Sequence, residues 1–198
     1  MPRIAQHRAP AEPQTPEQHE RVNRILRAAS RQGAVKDLEY VQMADIASDA
    51  GVAIATLYRY FPSKTVLFTT LMRSRVEVMH AWLERLQVHP PAEAVTLMLV
   101  EAGRELLRVP MLARAMMTSN NISVTNDPAM GVDSLFKDLL ARAARHPDPT
   151  EQEARRLRLV EQVWYGILIS ALNGVITEAE AEADTEEAVQ LLLGGLWA

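Results

Sequence analysis

From Ala53 to Lys64 the chain reads Ala-Ile-Ala-Thr-Leu-Tyr-Arg-Tyr-Phe-Pro-Ser-Lys. At about 100° per residue with Leu57 as origin, Ile54 and Phe61 fall within about 60° of it and make a narrow apolar stripe that a core must cover. The far side presents Ala55 and Arg59, flanked by Thr56 and Tyr58, with Tyr60 at the edge of the stripe. Such a face carries hydroxyls, one guanidinium and small methyl groups, which suit recognition rather than bond-making. A guanidinium pairs with two acceptors on guanine, Thr and Ala methyls meet the thymine methyl, and hydroxyls or a lysine such as Lys64 hold phosphates and set register.

A short helix can present that face only if neighbouring elements hold its other side. A helix over 42–50 precedes it, with Met43, Ile46, Ala47 and Ala50 on one face. Gly51 supplies the turn, Val52 plugs it, and Phe61-Pro62 ends the helix over 53–60 because the residue before proline resists the α conformation. A short helix, a glycine turn and a second short helix place the second across the first, ready to enter a major groove. Upstream, Thr15 caps a helix that starts at Pro16, carries Val22, Ile25, Leu26 and Ala29 at core spacing, and closes at Gly33. Residues 1–15, with three prolines, read as a flexible arm whose Arg3 and Arg8 either touch DNA or are simply solvated.

Ser63 caps a long fourth helix over 64–88, which His89, Pro90 and Pro91 terminate. The remaining pattern predicts helices over 91–109, 110–118, 128–145, 149–178 and 184–197, with a polar loop over 119–127. The fold class is therefore all-α, nine helices without a strand, divided as an arm to residue 15, a head over 16–65 and a body over 66–198. The helix over 149–178 carries Val160, Val163, Trp164, Ile167, Leu168, Ala171, Leu172 and Val175, and the last one Val189, Leu192, Leu193, Leu196 and Trp197, both at helix-packing spacing. Met98, Met111, Met116, Met117 and Met130, with Leu99, Leu106, Leu107, Phe136 and Trp164, supply soft apolar surface that suits a large hydrophobic ligand and equally suits a core. Arg104, Arg108 and Arg114 either meet an anionic part of such a ligand or lie in solvent.

Composition limits the alternatives. Apolar residues make up 48% of the 198 and aromatics 5%, a helical balance. There is no cysteine, so disulfides and thiolate zinc sites are excluded. No apolar run suits a signal peptide, the stretch 160–176 is too short to span a membrane, and a cytoplasmic location is expected. The net charge of −4 hides an asymmetry: residues 1–75 hold 11 Lys/Arg against 7 Asp/Glu, and residues 76–198 hold 10 against 18. A basic head on an acidic body fits a DNA-binding module joined to a regulatory one, because phosphate attraction is local. Catalysis is disfavoured: the chain lacks a His-Glu-x-x-His zinc motif, a phosphate-cradling glycine loop and a nucleophile elbow, and its five histidines show no ligand spacing. No metal or cofactor is expected. A helical protein-interaction module explains the body but leaves the polar face of the third helix without a purpose.

The run from Gly51 to Lys64, with Met43, Asp45, Ile46, Ala47 and Ala50 before it and Leu67 after it, closely resembles the helix-turn-helix of the TetR family of transcriptional repressors. The resemblance implies operator DNA as partner, with Tyr58, Tyr60 and Lys64 on phosphates or bases and Thr56 and Arg59 helping to choose the sequence. Leu57 and Phe61 match the family's structural core. Gln42, Ala53 and Ala55 occupy contact positions but depart from the pattern, standing where many relatives have Thr, Ser or Thr, and Gly. The resemblance also implies a homodimer in which the last two long helices pair with their copies, through Ile167, Leu168, Ala171, Leu172, Val175, Leu192 and Leu196. A ligand chamber is implied in the body, for which Met98, Leu106, Met111, Met116, Met117, Phe136 and Trp164 are the candidates. With Val41-Gln42-Met43 before it, the stretch 56–64 most resembles the branch of steroid-catabolism repressors, which implies an acyl-CoA effector.

Overall fold

The computed structural model describes residues 10–83, 89–127, 129 and 131–195. The expectations for Arg3, Arg8, Met130, Leu196 and Trp197 lie outside these residues. Nine helices and no strand occur among the described residues: α1 Pro16–Val35, α2 Met43–Ala50, α3 Ile54–Tyr60, α4 Lys64–Leu83, α5 Pro91–Leu107, α6 Pro110–Asn126, α7 Asp133–Ala143, α8 Glu151–Leu172 and α9 Glu178–Leu193. The chain forms two compact units, one running up to Met72 and including Arg114–Gly131, the other made of Arg73–Ala113 and the chain from Val132 onward.

In the first unit, α1 begins with Pro16 at its first position, and the Thr15 hydroxyl accepts from the Gln18 N–H. Gly33 does not close the helix as the sequence suggests. It is buried inside the last turns, and the stop comes at Lys36, which turns to extended backbone (φ −133°, ψ 140°). α1 buries Ile25, Ala28 and Ala29 where it packs on α2. α2 ends on Gly51 in the left-handed conformation (φ 63°, ψ 44°), and the Val52 N–H closes the turn onto the Ala47 carbonyl at 3.0 Å. That turn fixes the angle at which α3 leaves. Ser63 caps α4, its hydroxyl accepting from the Val66 N–H at 3.1 Å.

The expected loop over 119–127 is instead the continuation of α6, which runs unbroken to Asn126. Its polar residues do not break it because they have buried helical places: Ser119, Asn120 and Ser123 are buried, and the Ser123 hydroxyl pairs with that of Thr69 on α4 at 2.9 Å. Tertiary burial overrides a weak helix propensity here.

The second unit packs α5, α7, α8 and α9 together. Its core is built on Val95, Met98, Leu99, Leu139, Leu140, Val160, Leu168, Val189 and Leu193. Phe136 stacks on Trp164 with ring centroids 5.3 Å apart, and the Trp164 indole N–H donates to the Leu99 carbonyl at 3.1 Å. The helix expected over 149–178 is shorter: α8 stops at Leu172, Gly174 takes a left-handed turn (φ 71°), and Thr177 caps α9 with a capping box to Glu180, so that α9 starts at Glu178, six residues before the expected start at 184. Residues 173–177 were absorbed by the periodicity because Val175 and Ile176 continue the apolar run.

Candidate nucleic-acid interface

The chemistry of α3 rests on what the turn before it and the core behind it leave exposed. Leu57 and Phe61 are buried as the apolar stripe requires. Ile54 is not: 41% of it is exposed, and it joins the outward surface. Its place in the core is taken by Tyr60, only 3% exposed. On a helix of two turns the residue at the stripe's edge packs inward when it is larger and nearer the chain that covers it. Tyr60, which the sequence places at the edge of the stripe, therefore lies within the core.

That face consists of Ala53, Ala55, Tyr58 and Arg59, all exposed, with Thr56 half-buried between them. Gln42 and Ala53 stand at the N-caps of α2 and α3, and neither makes a side-chain capping bond. The amide of exposed Gln42 is thus not committed to its own helix. The Arg59 guanidinium donates from Nη2 to the Tyr60 hydroxyl at 2.8 Å, with its central carbon 4.8 Å from the centroid of the Tyr60 ring. The Arg59 carbonyl, one of those left over at the end of α3, accepts from the Ala11 N–H at 3.0 Å. The described end of the N-terminal arm is therefore tied to α3.

Lys64 opens α4 as expected, but its ammonium donates to the carbonyls of Leu38 and Glu39, at 2.7 and 3.0 Å. The lysine fixes the loop between α1 and α2, and beside those carbonyls Tyr40 stands well exposed.

In the body, Met98, Phe136 and Trp164 are buried and Leu106 and Met111 half-buried, all in the second unit. Met116 and Met117 are buried in the first. A narrow cleft lies between α5, α8 and α9, floored by Leu99, Gly103, Trp164 and Leu168, and Glu178, Arg104 and Glu182 line it as well. Arg104 is committed there, donating twice to Glu182 at 2.5 and 2.6 Å, and this pairing holds the Glu182 carboxyl below its ordinary range. Arg108 is bonded to Glu105 at 2.6 Å. The surplus of carboxylates disfavours an anion in this cleft.

Of the residues expected between subunits, Leu168 and Leu172 are buried within the single chain, so their side chains are spent on its own core. Ile167, Ala171 and Leu192 are half-buried and Val175 is exposed. The large apolar residues that α8 and α9 leave exposed are Leu159, Val163 and Leu191, the last 76% exposed. The expected stripe merged two faces of α8, with Val160, Trp164 and Leu168 inward and Val163 outward. Among the described residues no group of three or more His, Asp or Glu is placed to hold a metal, and no helix is long and apolar enough to cross a membrane.

Residues 25–71 match the family described as bacterial regulatory proteins, tetR family, and residues 89–192 match the tetracyclin repressor-like C-terminal domain. The HTH-type transcriptional repressor KstR of Rhodococcus jostii is 33% identical over 180 residues, covering 89% of this chain and 84% of its own. KstR of Mycobacterium tuberculosis is 31% identical over 182 residues, covering 89% and 82%. A crystal structure of a TetR transcriptional regulator from Rhodococcus sp. RHA1 superposes with a TM-score of 0.82 at 41% identity, over 93% of this chain and all (100%) of that one. Thermus thermophilus FadR, solved in complex with lauroyl-CoA, shares the fold at a TM-score of 0.66 and 18% identity, over 89% and 95%.

Proposed function

This chain belongs to the TetR family of bacterial regulatory proteins and is a transcriptional repressor of that family; from that premise we propose that it binds its operator as a homodimer in the cytoplasm and leaves it when an acyl-CoA enters the body. The observation that carries the DNA reading is the outward face of α3, where Ala55, Tyr58 and Arg59 are exposed on a helix whose exit from Gly51 is fixed. Residues 16–65 read the DNA, and residues 66–198 carry the effector and dimer functions.

Arg59 and Thr56 address base edges, Tyr58 addresses phosphate, and Gln42 reaches the backbone at the start of α2. Ala53 and Ala55 bring methyl groups to the same surface, and Ala55 limits how closely the α3 backbone approaches. Lys64 serves the phosphate contact through the loop it holds, and through the start of α4, where helix N–H groups favour an anion. The dimer forms through the outward faces of α8 and α9, supported by the exposure of Leu159, Val163 and Leu191 and by the half-buried Ile167, Ala171 and Leu192.

The effector reading draws on the lauroyl-CoA held by a protein of the same fold and on the resemblance of residues 56–64 to steroid-catabolism repressors. The acyl part is a steroid acid or a fatty chain, received by apolar side chains of the second unit that include Met98, Leu106, Met111, Phe136 and Trp164. Binding shifts the population toward a dimer whose recognition helices no longer match half-sites spaced by one turn of DNA, ~34–36 Å.

Titrating the full chain into a random-sequence duplex at about 50 and 200 mM salt tests the DNA reading. A steep loss of affinity at the higher salt is expected. Binding that is absent, or indifferent to salt, favours a helical interaction module instead.

A further inference from the structure

Tyr60 stands in a position where a phosphate contact is expected of it, yet its side chain is 3% exposed while Tyr58, two residues earlier, is 48% exposed. A side chain so covered offers little surface to a phosphate. What the hydroxyl does instead is accept a hydrogen bond from Arg59 Nη2 at 2.8 Å, while the ring lies 4.8 Å from the guanidinium carbon. The ring is itself braced by Phe61, with centroids 6.5 Å apart, and the Arg59 carbonyl is held by the Ala11 N–H.

From this we infer that Tyr60 is a positioning residue, whose hydroxyl and ring aim the Arg59 guanidinium at the base it reads. Resting on the DNA reading above, the inference names which residue sets specificity and how. An unrestrained arginine loses several rotamers on binding, and that loss weakens its discrimination between bases. A guanidinium carries five N–H donors, and the Tyr60 hydroxyl takes one of them. Enough remain for the two parallel bonds that guanine O6 and N7 accept, so the arginine is aimed without its reading edge being consumed.

In vitro selection from a random 30-base-pair duplex pool separates this from a direct phosphate contact, using full-length wild type, Tyr60→Phe, Arg59→Ala and the double variant. Tyr60→Phe keeps the buried ring and removes only the hydroxyl. It is expected to flatten base preference at the same positions as Arg59→Ala, lowering the ratio of selected-duplex to random-duplex affinity roughly 3- to 10-fold. Random-duplex affinity and its salt slope stay at the wild-type values, and adding Tyr60→Phe to Arg59→Ala changes nothing further. Arg59→Lys, which keeps the charge and loses the planar fork, loses the same base preference. A Tyr60→Phe protein that binds random duplex more weakly with a shallower salt slope, whether or not Arg59 is present, overturns the inference in favour of a phosphate contact. One indistinguishable from wild type in every readout overturns it by showing the hydroxyl idle. A wild-type protein that enriches no sequence at all fails the DNA reading first, and the inference with it.

Discussion

Lys64 shows how a single side chain ties two segments of the chain together. Its ammonium bridges two backbone carbonyls of the α1–α2 loop, so Lys64→Met leaves both without that charged donor and keeps the stem's bulk. A loss of about 1–2 kcal/mol in urea unfolding is expected, at the lower end of charged hydrogen bonds because the site is half-exposed to water. Glu161 supplies a pH test. Burial on α8 pushes its carboxyl above the ordinary range, with Lys137 opposing and Asp133 adding to the rise. The folded chain therefore holds this proton more tightly than the unfolded one, and stability falls as pH rises from the ordinary carboxyl range through the raised value. Glu161→Gln should melt higher than wild type at about pH 7, and the difference should shrink toward pH ~4. At this scale the sequence was legible wherever a residue had one plausible neighbourhood, as with Leu57, Phe61, Arg59 and Tyr58. Ile54 and Tyr60 exchanged roles because both sit at the margin of the stripe, and only the volume of the neighbouring core decides which of them turns inward.

At the scale of elements, boundaries follow from caps more than from periodicity. Thr15, Gly51 and Ser63 were readable as signals and act as such. The division between α8 and α9 rests on Gly174 and on the Thr177–Glu180 box, a Thr-x-x-Glu pattern present in the sequence but masked by the apolar Val175 and Ile176. Thr177→Ala removes the hydroxyl that accepts from the Glu180 N–H and should cost about 1 kcal/mol, read as a lower midpoint in chemical unfolding. Gly51→Ala tests the turn that aims α3. A Cβ there meets Arg24 Nη1 at 3.5 Å, ordinary contact, so the cost of about 1–2 kcal/mol comes from the left-handed backbone alone. The end of α6 was not legible for a different reason. Ser119, Asn120 and Ser123 look like loop residues until Thr69, more than fifty positions away, is known to lie against Ser123.

For the whole molecule, the regulator family was carried by residue identities between Gly51 and Lys64, whereas the helix order came from apolar periodicity, prolines and caps along the chain. The residues assigned to the subunit contact divide between buried Leu168 and Leu172 and the more exposed Ile167, Ala171, Val175 and Leu192, since a single chain's periodicity does not say which apolar face its own core consumes. Val163→Glu with Leu191→Glu places charges on the outward faces of α8 and α9 and should convert the dimer to a folded monomer in sedimentation, with helical content unchanged. Leu168→Ala, inside the protomer core, should lower stability by about 2–5 kcal/mol without specifically dissociating subunits. Thermal melts with a steroid-CoA, a fatty acyl-CoA and a free sterol test the effector class. A rise in melting temperature with a CoA thioester is expected, and no shift with any of the three contradicts the proposal.

The central claim is that the exposed face of α3 reads DNA. The most direct test titrates the wild-type dimer and a Thr56→Ala, Tyr58→Ala, Arg59→Ala triple variant into a duplex selected by the wild type from a random pool, at two salt concentrations. All three side chains lie at least partly outside the core, so the variant should melt close to wild type. The account predicts salt-sensitive binding by the wild type and a loss of roughly 100-fold or more in the variant, with its residual binding no tighter to the selected duplex than to random DNA. A folded, dimeric variant that still prefers the selected duplex as the wild type does would contradict it.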